Sequence, residues 1–348
     1  MTVNISKPSI NIREKIAELD KPSGIAGEAV LRADSVQEIR NQIGAGRKNL
    51  LINGDMRVSQ RGVYTSATAL THNAYYLDRW ASMESGSTLV STLTHSSDVF
   101  SGTTVNTQLY NVTTGATAYT GGFQRVENHA EYIGKTITLS ARVKSNSSEA
   151  RLLVYCSGGQ GVVASSAHTG DGSWELLTIT GVIASTASSL ACYVSLMSAG
   201  AGGVVITAGD YIEFTQVQLE LGSVATDFEH RSYGEELALC QRYYQVLIDK
   251  AAGINSSQHI GSLYNTSRAF TKVYLDGVMR AAPAITATNV SMVIYTNNSS
   301  FTSSSLDSTY IYKGAVGLDF GGTYTSSSGN ACHIDSLNST KIVADAEL

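Results

Sequence analysis

The residue types that carry chemistry are present in this 348-residue chain, but their spacing argues against catalysis and against bound phosphate or metal. Gly134-Lys135-Thr136 matches the end of a phosphate-binding loop. The position of that loop's first glycine holds His129, and the text that follows, TITLSARV, alternates as a strand where the loop requires a helix. Gly200 and Gly202 begin a GxG without a third glycine and read as a turn. The seven histidines form no HExxH and no pair at short ligand spacing. Cys156, Cys192, Cys240 and Cys332 stand far apart, which points to buried free thiols and away from zinc or redox chemistry. Without a GxSxG elbow or a pattern among the acids, the chain is expected not to be an enzyme and to need no cofactor.

The positive signal is aromatic. There are 18 tyrosines against 7 phenylalanines and 2 tryptophans. Tyrosine joins a flat apolar face, suited to sugar C–H groups, to a hydroxyl that stays in water. Tyr295, Tyr310, Tyr312 and Tyr324 border Ser/Asn-rich loops and are candidates for glycan or receptor contact; Tyr310 and Tyr312 fit equally well on one strand face or an intersubunit seam. Trp80 and Trp174 fall within strand patterns and are expected in the core.

These residues sit in text that reads as all-β. Charged residues make up 15% of the chain, Pro is limited to 3, and Gly, Ser, Thr and Asn separate short apolar runs. The net charge of -5 and the pI near 5.8 offer no basic surface for nucleic acid. The start reads as no signal peptide and no run approaches the ~20 apolar residues of a membrane span, so synthesis in a cytoplasm is expected.

Four blocks follow. Residues 1–48 read as a short helical attachment or oligomerisation segment, with Ser35 as an N-cap, Glu38 completing the capping box and Gly44 ending the helix. Residues 49–232 read as a double-sheet jelly roll of about eight antiparallel strands. In it NLLINGDM is a strand before an Asn53-Gly54 turn, YYLDRW is one strand, and Ile137, Leu139, Ala141 and Val143 of TITLSARV point inward. In YIEFTQVQLEL the apolar phase changes near Thr215 and Gln216, which predicts a bulge. Residues 233–248 read as a linking helix with Leu237, Cys240, Tyr244 and Leu247 on one face, a candidate oligomer interface. Residues 249–348 read as a smaller β domain with strands at FTKVYL, SMVIY, YIYK and VGLDF.

Certain stretches also carry a resemblance. NLLINGDM, FQRVEN with GKTITLSARVKS, and EFTQVQLELG are similar to β-jelly-roll carbohydrate-binding modules. INGDMRVSQRG, YYLDRW, QLELGSVATDFEHRS, ELALCQRYYQ, VMRAAPAIT and the terminal ADAEL together resemble bacteriophage tail-fibre and receptor-binding proteins over about 300 residues. GIAGEAVLRADSVQEIRNQIGAG is similar to the small-residue helical connectors of such fibres. The resemblance implies a virion structural protein, usually a homotrimer, joined to other virion proteins by its N-terminal side and binding a host-surface glycan or protein. A head fibre, decoration protein or tail connector is the alternative. Carbohydrate modules often hold a structural calcium ion, and Asp55 and Asp210, flanking the first and last strands, have the oxygen ligands for one; solvated turns are the plainer reading.

Overall fold

The computed structural model describes residues 48–347, apart from 86–89, 101, 159–160, 252–253, 255–258, 297–299, 313, 325–328 and 338. The helices expected in residues 1–47, with Ser35, Glu38 and Gly44, lie outside the described residues.

The strands of the first unit are β1 (Thr68–Ala69), β2 (Tyr75–Leu77), β3 (Trp80–Ser85), β4 (Val90–Phe100), β5 (Thr103–Thr114), β6 (Ala116–Arg125), β7 (Thr136–Ser145), β8 (Ala150–Ser157), β9 (Gly161–Ala164), β10 (Trp174–Val182), β11 (Ser189–Leu196), β12 (Val204–Ile206) and β13 (Tyr211–Leu221). They form two facing antiparallel sheets, ordered β1-β4-β5-β13-β7-β10 and β2-β3-β6-β11-β8-β9, with β12 added beside β6. This is the expected sandwich of jelly-roll type.

Alternation explains which residues meet between the sheets. Ile137, Leu139, Ala141 and Val143 of β7 face Leu152, Val154, Cys192 and Val194 across one core. At its centre Tyr110 stacks on Phe214 with ring centroids 5.9 Å apart, and Trp80 lies 5.6 Å from Phe214. This crowding requires Gly122 on β6, because a Cβ there would come within 2.8 Å of both Phe214 and the Tyr110 hydroxyl. The phase change in β13 is a bulge: its register against β7 shifts between Thr215 and Gln218, and Gln216 has a φ of 52°. Ile212 and Phe214 before it, and Val217 and Leu219 after it, therefore all reach the same core.

Two local readings are corrected. YYLDRW is a hairpin: Leu77 pairs with Trp80, and Asp78 and Arg79 make a two-residue turn with Arg79 at a φ of 71°. NLLINGDM is no strand. Leu50 N–H donates to Leu219 O at 2.8 Å, and the next three donors go to side chains, Leu51 N–H to Asn49 Oδ1 at 3.0 Å, Ile52 N–H to Gln124 Oε1 at 2.8 Å and Asn53 N–H to Glu236 Oε1 at 2.5 Å.

Helix α1 (Tyr233–Gln241) starts at the capping box formed by Ser232 and Glu235. It stops seven residues short of the expected end, and Tyr244–Asp249 is strand β14. The run YYQVLI is aromatic and β-branched, and the chain's last strand pairs with it, a partner that helical spacing cannot reveal.

The second unit continues with β15 (His259–Asn265), β16 (Arg268–Tyr274), β17 (Ala284–Thr288), β18 (Met292–Tyr295), β19 (Ser300–Ser303), β20 (Ser305–Tyr312), β21 (Ala315–Gly321), β22 (Ala331–Ser336) and β23 (Lys341–Asp345). A small sheet, β14-β23-β17, packs on a seven-stranded one, β19-β18-β22-β15-β16-β21-β20, around Leu247, Ile248, Met292, Ile294, Leu318, Phe320 and Ile342. All four cysteines are buried and free, as expected. No helix among the described residues is long and apolar enough to cross a membrane.

Candidate functional site

The inner face of the seven-stranded C-terminal sheet is spent on its core, which leaves the outer face to solvent. In β21, Val316, Leu318 and Phe320 point inward, so Ala315 and Gly317 point out; Tyr312 pairs with Ala315 and Tyr310 with Gly317. In β16 the same alternation turns Phe270, Lys272 and Tyr274 outward. A cross-strand row results. Tyr310 neighbours Gly317, which neighbours Lys272; the Gly261–Thr271 pair sets Ile260 beside Lys272; Ile260 neighbours His333, and His333 neighbours Tyr295. Tyr310 and Tyr295 thus end one row that crosses five strand spacings, ~24 Å.

Local contacts hold the row's shape. Gly317 leaves room for the aromatic rings on either side, since a Cβ there would lie 2.7 Å from Phe270 and 3.0 Å from Tyr312. Phe270 meets Tyr310 edge-on at 6.1 Å, and Lys272 Nζ stands 4.8 Å from the Tyr312 ring centroid and 5.6 Å from that of Tyr274. Tyr295 stacks on His333 at 5.7 Å. Exposure is 43% at Tyr295, 45% at Tyr310 and 43% at Tyr312, and it rises to 70% at Tyr264, 73% at Tyr274 and 84% at Ile260. Such a face offers rings for stacking, and the same alternation sets Asp319 on it beside Phe270, 4% exposed and 3.0 Å from Arg268.

Three of the four tyrosines singled out from sequence therefore share this face; Tyr324 does not. It is 2% exposed, its ring meets Phe301 edge-on at 5.5 Å, and its hydroxyl donates to Phe320 O at 2.8 Å, so it is a core residue. Ile260, Tyr264, Tyr274 and His333 were missed. The alternation of FTKVYL already set Phe270, Lys272 and Tyr274 on one side, and that signal reaches Tyr274; none identifies Ile260.

The expected interface stripe is also corrected. Leu237 and Cys240 lie on α1, whereas Tyr244 and Leu247 lie on β14, and Cys240, Tyr244 and Leu247 are 0%, 5% and 2% exposed. They are used within the chain: Cys240 packs with Ile52 and Val58, and Leu247 enters the C-terminal core. Trp80 is fully buried, but Trp174 stands half-exposed on the outside of the sandwich, its indole N–H donating to Asp98 Oδ2 at 3.1 Å.

The text that carries the fibre resemblance converges elsewhere, at the junction of the two units. Arg61 is 3.0 Å from Asp345 and 3.2 Å from Glu347, and its guanidinium lies 3.9 Å from the Tyr244 ring centroid. Arg79, 1% exposed, pairs with Glu347, lies 3.6 Å from the Tyr243 ring centroid and donates to Arg125 O at 2.8 Å. Asn53 Nδ2 donates to Asp78 O at 3.0 Å, and Arg280 Nε donates to Ala346 O at 3.1 Å. A hollow of about 300 Å³ beside it is lined by Arg79, Arg125, Arg231 and Arg242. These arginines are engaged: Arg231 with Glu229 and Glu236, and Arg242 with Glu127.

Asp55 and Asp210 are not brought together. Asp210 accepts from Thr207 N–H and Oγ1 at the start of β13, Asp55 pairs with Arg57 at 2.9 Å, and the length of β13 between them is on the order of 20 Å. Ligand-type atoms of His168, Asp171 and Glu175 lie within 4.8 Å of one another. They tie their own loop: His168 Nδ1 accepts Gly170 N–H at 2.9 Å, which leaves Nε2–H to donate to Ser173 O at 3.1 Å, and Asp171 Oδ1 accepts Ser173 N–H at 2.8 Å.

No family model matches the sequence, and no curated protein is similar to it. Several solved structures align with parts of it. The enzymatically active domain of tailspike protein 4 of bacteriophage CBA120 aligns over 50% of this chain and 21% of its own, at 14% identity and a TM-score of 0.33. The N-terminal tandem CBM22 domain of Paenibacillus barcinonensis Xyn10C aligns over 82% of this chain and 97% of its own, at 13% identity and a TM-score of 0.29. The family 11 carbohydrate-binding module of Clostridium thermocellum in complex with a β-1,3-1,4-mixed-linked tetrasaccharide aligns over 47% and 99%, at 16% and 0.27. The alignment spans 21%, 30% and 31% of three larger structures: that tailspike domain, a C. thermocellum xylanase and an arabinofuranosidase.

Proposed function

We propose that this chain is a non-catalytic fibre protein of a bacteriophage virion, a tail fibre, which binds a saccharide of the host surface through the outer face of its C-terminal sheet. The observation that carries the reading is the row from Tyr295 to Tyr310, with Tyr264, Tyr274 and Tyr312 on the same face. Half-exposed rings on a rigid sheet stack on sugar C–H faces at little entropic cost, and Lys272 and His333 between them supply hydrogen bonds. In this reading the chain is a homotrimer attached to other virion proteins by residues 1–48, and three weak sites gain affinity through effective concentration.

The test is a glycan array, with adsorption to host cells, of the full chain and of a Tyr295→Ala/Tyr310→Ala/Tyr312→Ala variant. Loss of adsorption and of the set of glycans that this face binds is expected in a folded variant; an unchanged glycan profile and unchanged adsorption would refute the role. A second reading, a head fibre, decoration protein or tail connector, is favoured by Ile260, whose aliphatic side chain is 84% exposed at the middle of the face. There the face would pack against another virion protein, and Ile260→Arg would break the assembly without changing glycan binding.

A further inference from the structure

The β4–β5 hairpin does not lie flat in its sheet. β4 is three strands from β7 and four from β10, ~14 and ~19 Å. Yet Asp98 Oδ2 is 2.6 Å from Lys144 Nζ on β7, and Phe100 lies 6.3 Å from Trp174 on β10. The hairpin therefore arches over the outside of the sandwich, and Arg142 lies 4.4 Å from the Phe100 ring centroid beneath it. Beside the arch is a groove of about 430 Å³, walled by Phe100 and 103–106 and floored by Asp55, Arg57, Thr215, Gln216 and His230.

Three features mark the floor as built for a ligand. The β13 bulge, with Gln216 at a φ of 52°, lets two successive residues, Thr215 and Gln216, line the groove where regular alternation would turn one of them into the core. Thr215 is 0% exposed, and its Oγ1 has no hydrogen-bond partner among the described residues; Asp55 Oδ1 is also without one. Asp55 and Arg57 pair at 2.9 Å, so together they bring no net charge to the floor. The groove's acid and its arginine already neutralise each other, which leaves His230 as the one further ionisable side chain of the lining, whereas a hydroxyl-rich neutral ligand satisfies both orphaned oxygens and sets an apolar edge on Phe100.

We propose that this groove is a second binding site, separate from the tyrosine face, which takes a residue of a neutral saccharide. Its hydroxyls bond to Thr215 Oγ1 and the Asp55 carboxylate, and Phe100 covers one ring edge. The size lies within the usual range of small-ligand sites.

The experiment uses the full chain, an array of neutral hexose and N-acetylhexosamine oligosaccharides, and calorimetric titration of the strongest binder. Thr215→Val keeps shape and removes the hydroxyl; Gln216→Gly keeps the positive φ and removes the side chain. Each is expected to weaken binding at least tenfold with an unchanged melting temperature, while the triple tyrosine variant retains the interaction. No binding to any neutral oligosaccharide overturns the groove. Binding that is lost in the tyrosine variant yet intact in Thr215→Val and Gln216→Gly also overturns it, and leaves the tyrosine face standing. Conversely, a chain whose every glycan interaction survives the tyrosine variant and falls in Thr215→Val refutes that face and keeps the groove.

Discussion

At the junction of the two units, Asp78 and Arg79 are buried, Arg61 and Glu347 keep side chains only 10% and 5% exposed, and Tyr243 and Tyr244 lie against the two guanidinium groups. On the outer face of the C-terminal sheet the aromatic residues are the same type, but they stand in water with Lys272 and His333 between them. Tyrosine thus does two jobs in one chain. In the first place it covers charges that have left water; in the second it keeps an apolar surface available. Segments far apart in sequence, 53–61, 75–80, 231–244 and the chain end, are needed for the first job, so specific text accumulates there. A solvent-facing row requires little beyond alternation and room for rings.

The largest expected effect tests the junction. Arg79→Ala removes a guanidinium that is 1% exposed, with its contacts to Glu347, Arg125 O and the Tyr243 ring, and leaves Glu347 with Arg61 alone, so a loss of about 3 kcal/mol is expected in urea denaturation. An equally large loss from Lys272→Ala on the exposed face would erase the distinction; there the expected change is within about 0.5 kcal/mol.

Next comes pH. Burial raises the Asp78 carboxyl from 3.8 to about 7, against the lowering effects of the Gln60 N–H and Arg61. Between those values the folded chain holds a proton that the unfolded chain has released. The stability from this group is therefore complete below pH 4 and is lost as pH rises through about 7. Relative to Asp78→Asn, the parent chain is expected to gain roughly 3 kcal/mol from pH 8 to pH 5. His95, held down to about 4 by burial, contributes the opposite slope, but equally in both proteins. A difference that does not vary with pH would mean that Asp78 is ionised throughout.

The same contrast explains what could be read in advance. The all-β class, the bulge at Gln216 and the inward set of β7 follow from period-two alternation, which is local. Ser/Asn-rich borders mark Tyr295, Tyr310 and Tyr312 as contact candidates, but the common face they share comes from the strand order, which the text does not carry. Tyr324 failed because its chain turns back, its N–H donating to Thr266 O at 2.7 Å, and no local signal announces that return. The helix was overextended for a related reason: Tyr244 and Leu247 satisfy helical spacing, and only the distant β23 makes them a strand. Asp78-Arg79 escaped notice as a turn because Arg79 occupies a left-handed position usually given to Gly or Asn.

A third comparison separates binding from stability. Tyr310→Ala/Tyr312→Ala should cost about 1 kcal/mol of folding stability or less, since both rings are near half exposure, yet weaken glycan binding by about 2 kcal/mol, roughly thirtyfold. Comparable losses in both measurements would make the face a packing surface.

The smallest effect lies between the two regions. Ser232 caps α1 and receives Glu235 N–H at 3.3 Å, while the Glu235 side chain accepts Ser232 N–H at 3.1 Å. Ser232→Ala should cost about 1 kcal/mol. The first turn of α1 also carries the buried Glu236, which accepts Asn53 N–H and pairs with Arg231, so fraying it loosens the junction from the sandwich side. The loss should appear in the same unfolding transition as that of Arg79→Ala, and combining the two should cost less than their sum, because both weaken one connected set of contacts. Strict additivity, or a change in glycan binding without a change in stability, would show that α1 acts apart from the junction.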